Sequence, residues 1–302
     1  MNIVCFDIGG TFIKSSVINE KGDMLYKDKF PTPKANCRVL IPQKIIEKIK
    51  EVSNYFKVDA AGISTAGLVD SQKGRIIYAS DNLPDYTGAE FSSVLREKLN
   101  IHCCVENDVN AAALGEMWHG GAEGLESFLF ISLGTGIGGA IINEGNLIRG
   151  VKGGAGEIGH MVIKENGIPC NCGGQGCFER YASTSGLLRA YKDEACVKEI
   201  NGEEFIKLVR EGDPKANNVY SRYLEDLATG ISNAVHILDP GDVIIGGGIS
   251  AQGNSFLNDI DKAFRKKVMK SYGEYTKLHL AKLANDAGMY GVAYTALKKL
   301  SE

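Results

Sequence analysis

His160, Cys170, Cys172 and Cys177 place one imidazole and three thiols within 18 residues. Three cysteines and a histidine are a complete tetrahedral zinc set, and Asn171, Gly173, Gly174 and Gly176 give that stretch the freedom to wrap one ion. Because protein fills all four positions, the zinc is expected to be structural, with no place left for an activated water. A disulfide reading is weaker, since nothing at the N-terminus resembles a secretory leader and reduced thiols are the norm inside cells. Cys5, Cys37, Cys103, Cys104 and Cys196 lack ligand spacing and read as small packing or surface residues.

A second kind of chemistry lies in three glycine-rich turns. Gly9-Gly10-Thr11 and Gly134-Thr135-Gly136 each stand between two β-rich runs. Such a turn aims backbone N–H groups and a threonine hydroxyl at one point, an anion cradle that phosphate oxygens can approach closely. Gly134 to Gly139 also satisfies G-x-G-x-x-G, but a strand follows it where a dinucleotide fingerprint needs a helix. No G-x-x-x-x-G-K-[ST] occurs. Gly246-Gly247-Gly248, after the apolar run Val243–Ile245, is a third cradle at a strand end. Asp7 precedes the first turn, where a carboxylate would repel phosphate unless a cation such as Mg2+ stood between them; a turn-capping role competes. Lys14 either neutralises phosphate charge or points outward from its strand.

The elements that must hold these residues alternate. β-rich runs at 2–6, 12–19, 24–30, 58–63, 102–105, 128–133, 140–143, 147–149 and 243–245 are interleaved with helical periodicity at 39–55, 91–99, 110–118, 185–190, 203–211, 216–238, 256–269 and 289–300. This is the pattern of an α/β fold. Gly10-Thr11-x-Ile13-x4-Ile18-Asn19-Glu20 recurs as Gly134-Thr135-x-Ile137-x4-Ile142-Asn143-Glu144, in one register at six positions. We therefore expect two related lobes with a ligand cleft. Residues 1–118 form the N-terminal α/β lobe, the C-terminal helix 289–302 returns to it, and 119–288 form the larger C-terminal lobe with the zinc loop.

Composition narrows the function classes. The chain has 302 residues, 34 Lys+Arg and 37 Asp+Glu, and a net charge of −3. That balance argues against binding to nucleic acid driven by charge. The uncharged stretch Ser127–Asn143 holds four glycines and is too short for a membrane span. With no leader pattern at the N-terminus, the expected location is the cytoplasm.

Taken together, Asp7-Ile8-Gly9-Gly10-Thr11, Glu106-Asn107-Asp108, Gly134 to Gly139, Gly156-Glu157-Ile158-Gly159-His160 and Cys170-x-Cys172-Gly173-Gly174-x-Gly176-Cys177-x-Glu179 resemble the ROK family of sugar kinases and sugar-responsive repressors. The resemblance runs from about residue 3 to residue 295. It implies the actin-like (ribonuclease-H-like) ATPase fold and transfer of phosphate from ATP, with Mg2+, to a hexose hydroxyl. It further implies that Asp108 is the general base and that Asn107, Glu157, His160, Glu179 and, less directly, Asn82 contact the sugar. His160 would then use one ring nitrogen for zinc and the other for sugar. Gly246, Gly247 and Gly248 would lie on the adenosine side, with Ala287-Gly288 approaching the nucleotide. From the residues alone, Glu106 and Asp108 are also candidate caps of the following helix.

Glucose is the first substrate expectation, with N-acetylmannosamine and fructose as alternatives, and a homodimer is implied by the family. A sugar-sensing regulator without kinase activity is the rival reading. Repressors of this type carry a DNA-binding domain ahead of the first phosphate motif, and only six residues precede Asp7 here.

Overall fold

The computed structural model describes residues 1–79 and 82–302. It resolves into two compact units, one of residues 1–124, 147–155 and 285–302, the other of residues 125–146 and 156–284.

The first unit opens with three strands, β1 (Asn2–Ile8), β2 (Phe12–Asn19) and β3 (Met24–Pro31), followed by helix α1 (Cys37–Val52). Strand β4 (Ala60–Thr65), a short hairpin of β5 (Leu68–Asp70) and β6 (Arg75–Tyr78), helix α2 (Ser92–Leu99), strand β7 (His102–Asn107) and helix α3 (Asp108–His119) complete its N-terminal part. Its main sheet has the order β3-β2-β1-β4-β7. β1 pairs antiparallel with β2 and parallel with β4, which pairs parallel with β7. Side chains of β1 alternate strictly between the two faces. Val4, Phe6 and Ile8 pack with Ile41, Ile45 and Leu95 of α1 and α2. Ile3 and Cys5 pack on the other face with Ala111 of α3 and with Met289, Val292 and Ala293.

The second unit repeats the plan. Strands β8 (Phe128–Leu133), β9 (Ile137–Asn143) and β10 (Asn146–Ile148), the last two residues of which are counted with the first unit, are followed by helices α4 (Glu179–Ala182), α5 (Thr184–Ala195), α6 (Gly202–Glu211) and α7 (Pro214–Leu238). Then come β11 (Asp242–Gly246), α8 (Asn254–Lys267), α9 (Lys270–Tyr275) and β12 (Lys277–Leu280). The sheet order is β10-β9-β8-β11-β12, with β8 antiparallel to β9 and parallel to β11, and β11 parallel to β12. Leu129, Ile131 and Leu133 of β8 and Val243 and Ile245 of β11 face one core with Phe178, Leu227, Ile231 and Phe264. Helix α10 (Ala287–Ser301) ends the chain in the first unit, and supplies the residues from 289 onward that pack on Ile3 and Cys5.

The repeat read in the sequence is thus a duplicated sheet, three antiparallel strands followed by two parallel ones. Residues 147–155, counted with the second lobe in the sequence reading, pack with the first unit. Arg149 pairs there with Glu106, and the backbone at Gly153 lies so close to Val69 that an added Cβ would stand 2.7 Å from its carbonyl oxygen. Among the described residues no helix is long and apolar enough to cross a membrane.

Candidate active site and metal centre

In the first unit the parallel register sets Ile8 beside Thr65 and Thr65 beside Asn107, so three strands end on one edge. The turn at Gly9, the Ala66-Gly67 bend and Asp108 come directly after these strand ends. The carboxyl ends of parallel strands are where α/β folds place their ligands.

The first turn is closed by Gly9 N–H donating to the Phe12 carbonyl at 3.1 Å, and Thr32 Oγ1 donates to the Gly9 carbonyl at 2.7 Å. Gly10 and Thr11 are exposed. Lys34 Nζ donates to the Gly10 carbonyl at 2.8 Å. Asp7 and Lys14 are cross-strand partners, with Lys14 Nζ 2.9 Å from Asp7 Oδ2 and 3.1 Å from the Asn285 carbonyl. Ser64 Oγ donates to Asp7 Oδ1 at 3.1 Å. The Lys14 ammonium thus sits on Asp7. Gly288, at the start of α10, lies against the same group, since an added Cβ would stand 2.7 Å from Ser64 Oγ and 3.6 Å from Asp7 Oδ1. A cavity of about 360 Å³ is lined by Gly10, Thr11, Ala66, Ala79, Asn82 and Leu83, which places Asn82 beside the turn.

At the second strand end Asn107 caps α3. Its Oδ1 accepts from Val109 N–H at 2.9 Å and Asn110 N–H at 3.2 Å, as an N-cap residue does. The cap is Asn107, where the sequence offered Glu106 or Asp108. Asn107 Nδ2 donates to the Gly67 carbonyl at 3.0 Å, so this amide keeps one hydrogen for another partner. Asp108 is the first residue of α3, half-buried, with Oδ1 accepting from Val109 N–H at 3.0 Å. Glu106 points into the unit and is buried.

The second unit presents its own strand edge, with Gly246 registered beside Ser132. The Gly134 turn is tight, Gly134 N–H donating to the Gly136 carbonyl at 3.0 Å. Gly247 has φ +92°, a conformation open to glycine. Beside it a cavity of about 520 Å³ is lined by Thr184, Leu187, Asn201, Gly202, Glu203, Ile206, Gly248, Ile249 and Gln252. Its size suits a small organic ligand. Thr184 N–H donates to the Gly134 carbonyl at 2.9 Å, tying the cavity wall to the turn. Apart from Gly248, sequence reasoning missed this wall. The available signal was the capping box of α6, where Asn201 Oδ1 accepts from Glu204 N–H and Glu204 Oε2 accepts from Asn201 N–H, each at 2.9 Å.

The four ligand candidates converge. The donor atoms of His160, Cys170, Cys172 and Cys177 lie within 4.8 Å of one another. Cys172 Sγ is 3.6 Å from Cys177 Sγ, and Cys170 Sγ is 3.7 Å from His160 Nδ1. A tetrahedron with Zn–S of about 2.3 Å has edges of about 3.8 Å, which these two separations match, so the donor set suits zinc. All the cysteines are free. Burial pushes the Cys170 thiol up to about 12, whereas the Gly174 N–H facing Cys172 lowers that thiol. His160 turns Nδ1 to the cluster, and its Nε2 lies 3.9 Å from Glu157 Oε2. Glu179 Oε1 accepts from the Cys170 thiol at 3.2 Å and lies 3.8 Å from His160 Nδ1. Its Oε2 reaches the second turn, where a Cβ on Gly136 would stand 2.6 Å away. The metal knot, Glu157, Glu179 and the Gly134 turn are thus one connected surface of the second unit.

The ROK family model matches residues 3–299. An uncharacterized protein of Clostridium perfringens is 38% identical over 95% of this chain and 95% of its own length. A glucokinase of Halalkalibacterium halodurans is 33% identical over 94% of this chain and 92% of its own length. The crystal structure of a ROK family glucokinase from Streptomyces griseus in complex with glucose and AMPPNP matches at a TM-score of 0.83 and 32% identity, covering 99% of this chain and 100% of that one. With a duplicated five-stranded sheet, a glycine turn on each copy and this breadth of similarity, the chain belongs to the ROK family and has its actin-like ATPase fold.

Proposed function

We propose that this ROK-family sugar kinase transfers the γ-phosphoryl group of ATP to a hexose hydroxyl, with glucose the first candidate acceptor. The observation that carries the reading is the position of Asp108. Its carboxyl stands at the end of β7, on the strand edge that also carries the Gly9-Gly10-Thr11 turn. A base on a phosphate-binding edge is what phosphoryl transfer to an alcohol requires, since that reaction depends on positioning and charge neutralisation.

In this reading Asp108 accepts the proton of the attacking hydroxyl. Asn107 offers its remaining amide hydrogen to a neighbouring sugar oxygen, and Asn82, Glu157, His160 Nε2 and Glu179 supply further sugar contacts. The Gly10 and Thr11 turn and the Gly134-Thr135-Gly136 turn bind phosphate oxygens. The 520 Å³ cavity at Gly248 takes the adenosine. Mg2+ that keeps most of its waters asks the protein for one or two carboxylates. Asp7 suits it, with one acceptor site on each oxygen used by Lys14 and Ser64 and others left. When bound, that ion neutralises phosphate charge. His160, Cys170, Cys172 and Cys177 would hold zinc as a structural clamp, fixing the loop between Glu157 and Glu179. The reading includes a cytoplasmic location and a homodimer, the latter checked by light scattering.

The test is ADP release from ATP over a panel of glucose, N-acetylmannosamine, N-acetylglucosamine and fructose. Turnover of one sugar by the native chain, lost in Asp108→Asn, supports the proposal. Sugar binding without turnover by the native chain would favour a non-catalytic sensor, and turnover of another panel member would correct the substrate.

A further inference from the structure

Glu106 has no part in the reaction described above, yet it is the best-anchored acid near Asp108. Its side chain is 4% exposed. Oε1 accepts from Asn107 N–H at 3.1 Å and from Asn110 Nδ2 at 3.2 Å. Oε2 receives both Nε and Nη2 of Arg149, at 2.8 and 2.7 Å. One carboxylate thus grips the residue before Asp108 and the residue two after it, both in the opening of α3. Arg149 lies in residues 147–155, a strap that packs with the first unit although the chain on both sides of it belongs to the second. Ala155 N–H donates to the Arg149 carbonyl at 3.1 Å and closes the strap on itself.

A buried carboxylate that loses its cationic partner is strongly destabilised where it stands, and it turns outward toward water. That movement breaks the hold on Asn107 and Asn110. We propose that Arg149 is a positioning residue for the general base: it fixes Glu106, and Glu106 fixes the strand-to-helix joint that aims Asp108. The inference rests on the reading of Asp108 as the base. It assigns a function in the reaction to a strap whose sequence, Arg-Gly-Val-Lys-Gly-Gly, carries no catalytic signature.

The test compares Arg149→Met, Arg149→Lys, Glu106→Gln and the double variant Arg149→Met/Glu106→Gln by steady-state kinetics and by amide hydrogen exchange over residues 106–110. Displacing a reacting group by about 1 Å costs up to roughly 100-fold, so Arg149→Met should lower kcat about 10- to 100-fold while KM for ATP stays within about twofold. The amides of Asn107 to Asn110 should exchange faster. Arg149→Lys, which keeps the charge but not the fork, should fall between Arg149→Met and the native chain. The double variant should regain most of the lost kcat, because the neutral amide that replaces the carboxylate still accepts from Asn107 N–H and leaves no lone buried charge. If Arg149→Met does not fold, Arg149→Lys and the double variant carry the comparison. Native kcat in a folded Arg149→Met, unchanged exchange at Asn107 to Asn110, or a double variant no better than the single would each overturn the positioning role. A native chain that phosphorylates no sugar would instead overturn the reading of Asp108, and the positioning role with it.

Discussion

Gly136→Ala is a substitution whose consequences can be followed from the atoms outward. Gly136 has an ordinary φ, so alanine imposes no backbone strain. The new methyl would stand 2.6 Å from Glu179 Oε2. A C···O contact settles near 3.3 Å, so the carboxyl must retreat by roughly 0.7 Å. On its other side it already meets Cys170 Sγ at 3.2 Å and His160 Nδ1 at 3.8 Å, so it has to swing rather than slide back. Stability should change little, because the displaced atom ends a flexible side chain and a compatible Gly→Ala change gains about 0.4–1 kcal/mol from the unfolded chain. Sugar binding should change more. A hydrogen bond to a charged acceptor contributes about 1.5–3 kcal/mol, and losing the low end of that range raises sugar KM roughly tenfold. The assay is ADP release with sugar varied at saturating ATP, then with ATP varied at saturating sugar. We expect sugar KM to rise more than ATP KM, since alanine keeps the backbone N–H groups of the phosphate turn in place. A rise in ATP KM alone would refute Glu179 as a sugar ligand.

Asp108→Asn should fold like the native chain, since the Asn107 cap stays in place, and should lose about 10²–10⁴ in kcat; activity within a few-fold of native would reject the base. Stripping metal with a chelator should raise sugar KM more than ATP KM, since the ligands share a loop with Glu157 and Glu179, and equal losses would count against the clamp. Elemental analysis should find one zinc per chain, released on acidification as protons compete for the thiolates and imidazole. Asp59 accepts the Asn2 N–H at 2.9 Å, which holds its carboxyl below the usual range. Its contribution to stability is complete above the unfolded value of about 3.9 and fades as pH falls through the lower folded value, so the gap in Tm between native and Asp59→Asn should narrow from pH 7 to pH 3.

What the sequence made legible was local. The paired hairpins could be read because β1 and β8 are apolar runs that each lead into a glycine-threonine turn, and the residues around the two turns recur in one register. The metal set could be read because all four ligands fall on one short loop. The hairpin of β5 and β6 and the edge strand β12 escaped notice because each is only three or four residues long. Lys277 to Leu280 becomes a strand by pairing with β11, with Val243 opposite Leu278, a contact the local pattern does not announce. The site divides the same way. The cavity beside Gly248 is assembled from the starts of α5 and α6 and the turn after β11, and Arg149 meets Glu106 across 43 residues. Such partners are chosen by the fold, so composition and spacing could point to Gly248 and Glu106 without finding what stands against them.

The duplication also shows where chemistry departs from scaffold. Counted back from the paired residues Ile8–Ile13 and Leu133–Ile137, Asp7 corresponds to Ser132 and Lys14 to Gly138. The first turn has four residues between its paired ends and the second has three. Both sheets deliver a loop of backbone donors at the same topological place, but one alone carries an acid and an ammonium in contact. A cation approaching Asp7 competes directly with Lys14, whose charge is then left on the edge where a phosphate would sit. The second turn has no such pair and is lined by glycine, with Glu179 at its flank. In the proposed reading the symmetry supplies two anion cradles, and the Asp7–Lys14 pair across one hairpin is what suits the first alone to metal and phosphate charge together.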